Sequence, residues 1–272
     1  MFWYLNMISN VKWGSELSRS FSVPLGIKQG GINSPDFFGC YFDNLLTILR
    51  GMKIGCHMYG ILLSIILFAD DICLLAPTRS ALAKLFSTCT DYCTKYGLTF
   101  NSKKSKIMVF SKKRINLDSI KPITIDGNVL DFDDSITCLG TKIVSDDGFR
   151  FSSADDLSSF YRSANSIIGA MNKPSDAILL HLVYTNCVPI LTYGCAVKEY
   201  PSREMTDCNT ALNNVIRRIF SYNRWESIRT LRISYGYKSL TELFASAKNK
   251  FHDQLPNHCN SILNSLFQNE LA

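Results

Sequence analysis

No stretch of this 272-residue chain offers the roughly 18 or more uninterrupted apolar residues that a membrane-spanning helix needs, and the best candidate, Ile61 to Ala76, is cut by Asp70 and Asp71. No membrane partner is expected. Met1-Phe2-Trp3-Tyr4-Leu5 is apolar but has neither the basic leader nor the small-residue cleavage site of a secretory signal, so an intracellular place, nuclear or cytoplasmic, is expected. The ten cysteines include no C-x2-C pair, and His57, His181, His252 and His258 do not fall at finger spacing from any cysteine pair. Free thiols packed as small hydrophobes in a reducing compartment are the expectation. Neither common phosphate-loop pattern is present. Acid is scarce at the start, where Glu16 is the one carboxylate before Asp36.

What is present begins with the segment ILLSIILFADDICLLA, Ile61 to Ala76. Its apolar run breaks at two adjacent acids and resumes. Read as strand, tight turn and strand, it puts Asp70 and Asp71 at the tip of a hairpin whose flanks, Ile65 to Phe68 and Ile72 to Leu75, anchor it in a core. Acids held this way suit a divalent metal, while an Asp pair in a turn is equally well read as a solvated loop. Upstream, Leu25-Gly26-Ile27-Lys28-Gln29-Gly30-Gly31-Ile32-Asn33-Ser34-Pro35 is a glycine-rich loop leading into a helix start. Ser34 reads as N-cap, Pro35 as first helical residue and Asp36 as an acid at the positive end of the dipole. The helix stripe is Phe38, Phe42, Leu45 and Leu49, widened by Phe37, Tyr41, Leu46 and Ile48. Bare backbone at Gly30 and Gly31 lets another molecule approach the main chain.

After the Asp pair, Thr78-Arg79-Ser80 caps a second amphipathic helix with Leu82, Leu85, Phe86, Cys89, Tyr92, Cys93 and Tyr96 on one face, ended by Gly97. Leu98 to Phe100 and Ile107 to Phe110 read as strand pieces around a basic stretch. Ile123 to Leu130 is a hairpin over Asp126-Gly127, and Ile136 to Val144 a strand. Beyond Gly148 the pattern is helical: Ser152 or Ser153 caps a helix through Met171, Ala177 to Tyr193 is a second, bent or broken near Pro189, and Asn209 to Phe220 a third. The formal net charge of +6 is mild, but it is unevenly spread. Lys103, Lys104, Lys106, Lys112, Lys113, Arg114 and Lys121 face only Asp118 along one stretch, and a second basic region, Arg203 to Lys250, interleaves Tyr222 and Trp225. The fold expected is α+β: 1–150 an antiparallel sheet with packed helices, 151–272 all helical.

Three segments, Gly26-Ile27-Lys28-Gln29-Gly30-Gly31-Ile32-Asn33-Ser34-Pro35, Phe68-Ala69-Asp70-Asp71 and Gly97-Leu98-Thr99-Phe100-Asn101 with Lys104-Ser105, in this order and spacing, resemble the palm of reverse transcriptases, those of LINE-type (non-LTR) retrotransposons most closely. Leu191-Thr192-Tyr193-Gly194 is similar to a phrase in the helical region that follows. The resemblance implies an incomplete right-hand palm over 1–150 and a thumb-like region over 151–272. It implies RNA-directed DNA synthesis with two Mg2+ or Mn2+ ions, and an RNA template, a DNA primer and dNTPs as partners. By the same resemblance Asp70 and Asp71 are catalytic metal ligands, and Gln29, Gly30, Gly31, Ser34 and Pro35 pack against template and incoming nucleotide. Lys104 lies near the triphosphate, and Leu139-Gly140 form the primer grip, with Cys138 where an aromatic residue is commoner. Lys28 stands for the usual arginine, keeping charge without the planar fork. The family's third acid lies on an earlier strand, and nothing before Asp36 supplies it except Glu16 in a different context. This chain alone is therefore expected not to polymerise. The alternatives are a non-catalytic binder of RNA or RNA–DNA hybrid and a group II intron-type maturase fragment.

Overall fold

A computed structural model describes residues 6–23, 26, 28, 30–111, 120–125, 128–145, 148–170, 172 and 174–271. They form two compact units, 1–100 and 101–272. Helices and small antiparallel sheets are mixed in an α+β architecture, as the reading of the sequence expects. Among the described residues no helix is long and apolar enough to cross a membrane.

The first unit opens with four two-residue strands, β1 (Ile8–Ser9), β2 (Lys12–Trp13), β3 (Glu16–Leu17) and β4 (Phe21–Ser22). They nest as two antiparallel ribbons, β1 with β4 around β2 with β3. Helix α1 (Ser34–Gly51) follows, with Pro35 in its first turn, Asp36 near its positive end and Arg50 near its negative end. Phe42, Leu45 and Leu49 are buried, but Phe37, Tyr41 and Ile48 stay exposed, so the apolar stripe that packs is narrower than the sequence suggests. Strands β5 (Cys56–Met58) and β6 (Ile61–Leu63) form one hairpin, and β7 (Ile65–Phe68) and β8 (Asp71–Leu74) another. Helix α2 (Arg79–Lys95) is capped by Thr78, whose hydroxyl accepts from Ala81 N–H at 3.2 Å.

Both helices pack on one face of the β7–β8 hairpin. Register decides which face. Ile65 pairs with Leu74 and Leu67 with Ile72, and all four lie against Leu45, Leu49, Leu85 and Cys89. The alternate pairs, Ile66 with Cys73 and Phe68 with Asp71, take the other side because strand side chains alternate with a period of two. Leu98 and Phe100 join the same core as loop residues, Phe100 meeting Phe86 at 5.7 Å between ring centres. They are not in a strand, although the sequence suggests one.

In the second unit the Ile107 to Phe110 strand expected from the sequence reduces to a single parallel bridge between Ile107 and Phe132. Strands β9 (Thr124–Ile125) and β10 (Asn128–Val129) pair as expected, and the Asp126-Gly127 turn between them lies outside the described residues. The stretch Ile136 to Val144 is two strands, β11 (Ser135–Cys138) and β12 (Thr141–Val144), with β13 (Arg150–Ser152) alongside β12. Residue 150, where the sequence changes character, thus opens the third strand of a sheet inside this unit.

Helix α3 (Ala154–Ala170) then leads to α4 (Asp176–Leu182), a π-helical turn (Val183–Cys187) and α5 (Val188–Thr192). Pro189 has no N–H, so an α-helical ladder through it would leave a carbonyl bare, and the widened turn just ahead of it absorbs the break, with Val188 N–H reaching back to Val183 O. Helices α6 (Ser202–Ile219), α7 (Arg229–Ser234), α8 (Leu240–Gln254) and α9 (Ser261–Leu271) complete the unit. Phe160, Leu180, Leu191, Leu212, Ile216 and Leu240 are fully buried in its core, each side chain contributing roughly 2 kcal/mol through burial.

Candidate active site

The β7–β8 turn consists of two residues, Ala69 and Asp70, closed by the Phe68–Asp71 pair. Ala69 sits at φ +50°, a left-handed conformation that costs a residue with a Cβ about 1 kcal/mol and is favoured in such tight hairpins because it matches strand twist. Asp70 is therefore at the tip, and Asp71 is the first residue of β8, on the outer face with Phe68. The structure brings both carboxylates together on a turn whose other face is fixed in a core. Both are exposed, and neither makes an ion pair among the described residues. Among those residues no group of three or more His, Cys, Asp or Glu is placed to hold a metal, so the pair stands without a third carboxylate.

The glycine-rich loop lies in the same unit. Gly30 is at φ +81°, and Gly31 N–H donates to Lys28 O at 3.1 Å. A Cβ on Gly31 would lie 2.5 Å from Ser34 Oγ, so a larger residue there would displace the Ser34 hydroxyl. Ser34 is not the N-cap expected of it. Asn33 takes that position without a side-chain bond, and Ser34 is the first helical residue, its hydroxyl donating to Lys28 O at 2.7 Å. The side chain that would have capped the helix instead folds the loop back over its start. Pro35 holds the first turn, and Gln29 lies outside the described residues.

Lys104, Leu139 and Gly140 belong to the second unit. Asn101 organises the loop that carries Lys104: its side-chain oxygen accepts from Lys103 N–H at 3.1 Å and its carbonyl from Lys104 and Ser105 N–H at 3.1 and 3.0 Å. Lys106 lies 3.6 and 3.7 Å from Asp131 and Asp133, so part of the basic stretch is locally neutralised. Leu139 and Gly140, at φ +48° and +70°, are the two central residues of the β11–β12 turn.

That turn has a partner that sequence reasoning missed. Tyr193 donates its hydroxyl to Leu139 O at 3.0 Å, and its ring would meet a Cβ on Gly140 at 3.3 Å. Behind Tyr193 lies Lys198, 1% exposed, its ammonium 3.1 Å from Asp156 Oδ2 and 5.5 Å from the Tyr193 ring centre. Tyr200 donates to the same Asp156 oxygen at 2.9 Å, and burial, with the neighbouring Asp156 carboxylate, pushes its phenol well above the ordinary tyrosine range. The one signal for this network in the sequence was the Leu191-Thr192-Tyr193-Gly194 phrase. A second clamp, Glu204, accepts from Arg150 Nη1 at 3.0 Å and from the Ser153 N–H and hydroxyl at 2.6 and 2.7 Å. All ten thiols are free; Cys89, Cys93, Cys187, Cys195 and Cys208 are buried, Cys40 and Cys259 exposed.

The exposed acidic pair thus stands on a core-anchored hairpin that follows a glycine loop and a buried helix. Residues 3–143 match the family described as "Reverse transcriptase (RNA-dependent DNA polymerase)", and the chain belongs to that family. Its relatives are retrotransposon proteins of the LINE-type, non-LTR kind. It is 25% identical over 207 residues, 74% of this chain, to the "Retrovirus-related Pol polyprotein from type-1 retrotransposable element R2" of Popillia japonica. It is 35% identical over 92 residues, 34% of the chain, to that of the type-2 element R2DM of Drosophila melanogaster, and 31% identical over 107 residues, 37% of the chain, to a type-1 R2 protein of Nasonia vitripennis. The chain spans 28%, 8% and 10% of the lengths of these three proteins.

Proposed function

We propose that the chain is a palm and thumb-like segment of an RNA-directed DNA polymerase, with RNA template, DNA primer and dNTPs as its partners. The observation that carries this reading is Asp70-Asp71 at the tip of the β7–β8 hairpin in a reverse transcriptase family chain. The pair fits Mg2+ or Mn2+: hard oxygen donors, exposed, and engaged in no ion pair among the described residues. Divalent ions there supply activation of the primer 3′-hydroxyl and charge stabilisation on the departing pyrophosphate. Asp70 is the main ligand and Asp71 its neighbour.

The chain's own residues do the positioning. Ile65, Leu67, Ile72 and Leu74, packed against the core, anchor the hairpin that carries the two carboxylates. Gln29, Gly30, Gly31, Ser34 and Pro35 offer template and nucleotide a close approach to main chain. Lys104, exposed on the Asn101 loop, offsets triphosphate charge, and the Leu139-Gly140 turn grips the primer end. Two carboxylates make only part of a two-metal site, so the 272-residue chain alone does not extend a primer.

Two measurements test this. In Mn2+ titrations followed by NMR, amide signals of 68–72 broaden first, and Asp70→Asn abolishes the effect; broadening centred elsewhere overturns the metal assignment. In primer extension on an RNA template with Mg2+ or Mn2+, the chain gives no incorporation above background; incorporation that disappears with Asp70→Asn overturns the incompleteness.

A further inference from the structure

The α6–α7 connection, residues 220–228, presents its least soluble side chain to water. Asn223 to Glu226 form a turn, closed by Glu226 N–H donating to Asn223 O at 3.1 Å, with Arg224 and Trp225 as its central residues. Trp225 is 78% exposed. The turn is pinned: the Glu226 carboxylate accepts from Asn223 N–H, and Arg217 Nε donates to Glu226 O at 3.0 Å. Tyr222, 40% exposed, lies beside it, its ring 6.5 Å from that of Phe220. Arg217, Arg218, Arg224 and Arg229 surround the indole in sequence, and none pairs with a carboxylate among the described residues.

We infer that this turn is a stacking platform for single-stranded nucleic acid, Trp225 taking the face of an unpaired base while Arg224 and Arg229 meet the flanking phosphates. The chemistry selects this occupant. An exposed aromatic side chain on a hydrogen-bonded turn, next in sequence to Arg224 and four residues before Arg229, neither in an ion pair among the described residues, complements a chain that offers π-faces and negative charge together. A duplex hides its base faces in the stack, so it reaches the arginines but not the indole. Because the turn is already ordered, little conformational entropy is lost on binding. The inference rests on the reading of the chain as a nucleic-acid polymerase segment and assigns a contact that reading does not.

The test uses the full chain, a labelled oligouridylate of about twelve nucleotides and a blunt duplex of the same length, with binding followed by anisotropy across a salt series. Trp225→Ala weakens single-strand binding about tenfold with an unchanged salt slope, Trp225→Phe by no more than about threefold, and duplex binding by less than about twofold. Arg224→Ala with Arg229→Ala lowers the salt slope by about 1.4, the value for two phosphates on a single strand. Single-strand binding by Trp225→Ala within twofold of the parent, an equal loss toward duplex, or an unchanged slope in the double arginine variant overturns it. Failure here is separable from failure of the polymerase reading: strand binding is measured without divalent metal, so its outcome does not depend on whether Mn2+ broadens the signals of 68–72.

Discussion

In the second unit Phe160, Leu191, Leu212 and Ile216 are fully buried among helices that cover one another, whereas in the first Ile66 and Phe68 stand 55% and 62% exposed on the outer face of the β7–β8 hairpin. Both units obey the same rule, that apolar side chains on a regular element need a second element to cover them. Helices α3, α5, α6 and α8 meet that need for each other. The hairpin meets it on one face, where α1 and α2 lie, and leaves the other, which carries Asp71, open. The difference separates a helical core covered on all sides from a hairpin that keeps a surface available beside its acidic tip.

The largest effect that bears on this contrast is a pair of substitutions. Leu212→Ala, opening a cavity in the closed core, is expected to cost about 3 kcal/mol in urea unfolding, and Phe68→Ser no more than about 0.5 kcal/mol. Equal losses would break the comparison, since they would mean that Phe68 is covered after all.

Thiol chemistry sharpens it. Cys89 and Cys93 report on the first core, Cys187, Cys195 and Cys208 on the second, and burial pushes the Cys89 thiol up to about 12 and Cys208 up to about 11. In native protein an alkylating reagent should modify Cys40 and Cys259 first. As urea rises, Cys89 and Cys93 should follow before the second set, since the smaller core opens at lower free energy. The native state keeps these buried thiols protonated where the unfolded chain would release the proton. Stability is therefore undiminished below pH 9, the ordinary thiol value, and falls as pH rises from there toward 11–12. Urea midpoints at pH 8 and pH 10 check the sign; a higher midpoint at pH 10 would contradict it.

The smallest expected effect is at the turn. Ala69→Gly removes the left-handed strain of a Cβ at φ +50° and should stabilise the first unit by about 0.5 kcal/mol, net of the extra freedom glycine gives the unfolded chain. Destabilisation instead would show that the Ala69 methyl is packed, not merely tolerated.

Much of the first unit was legible in the sequence because its signals are local. The period-two run on either side of Asp70-Asp71, the Pro35 helix start and the Thr78 cap are each written within a few residues. Ser34 was misjudged because a serine before a proline looks like a cap, while its partner, Lys28 O, is set by a loop conformation that spacing does not encode. The break ahead of Pro189 was visible as a break but not as a π turn. The second unit hid more, since its organising contacts are long-range polar ones: Tyr193 to Leu139, Lys198 to Asp156 and Glu204 to Ser153 each join residues more than forty positions apart. A single sequence shows such residues as ordinary polar side chains, and only the tertiary fold brings each pair together.

The Glu204 clamp has a further consequence, for time. The first turn of α3 relies on a carboxylate from α6, which accepts both the N–H and the hydroxyl of Ser153 across 51 positions of chain. Until α6 has been synthesised and docked, the Ser153 N–H and hydroxyl at this strand-to-helix junction lack the Glu204 carboxylate. The β12–β13 ladder needs no residue beyond Ser152, whereas the helix start that follows it is completed only by a carboxylate that the ribosome adds some fifty residues later.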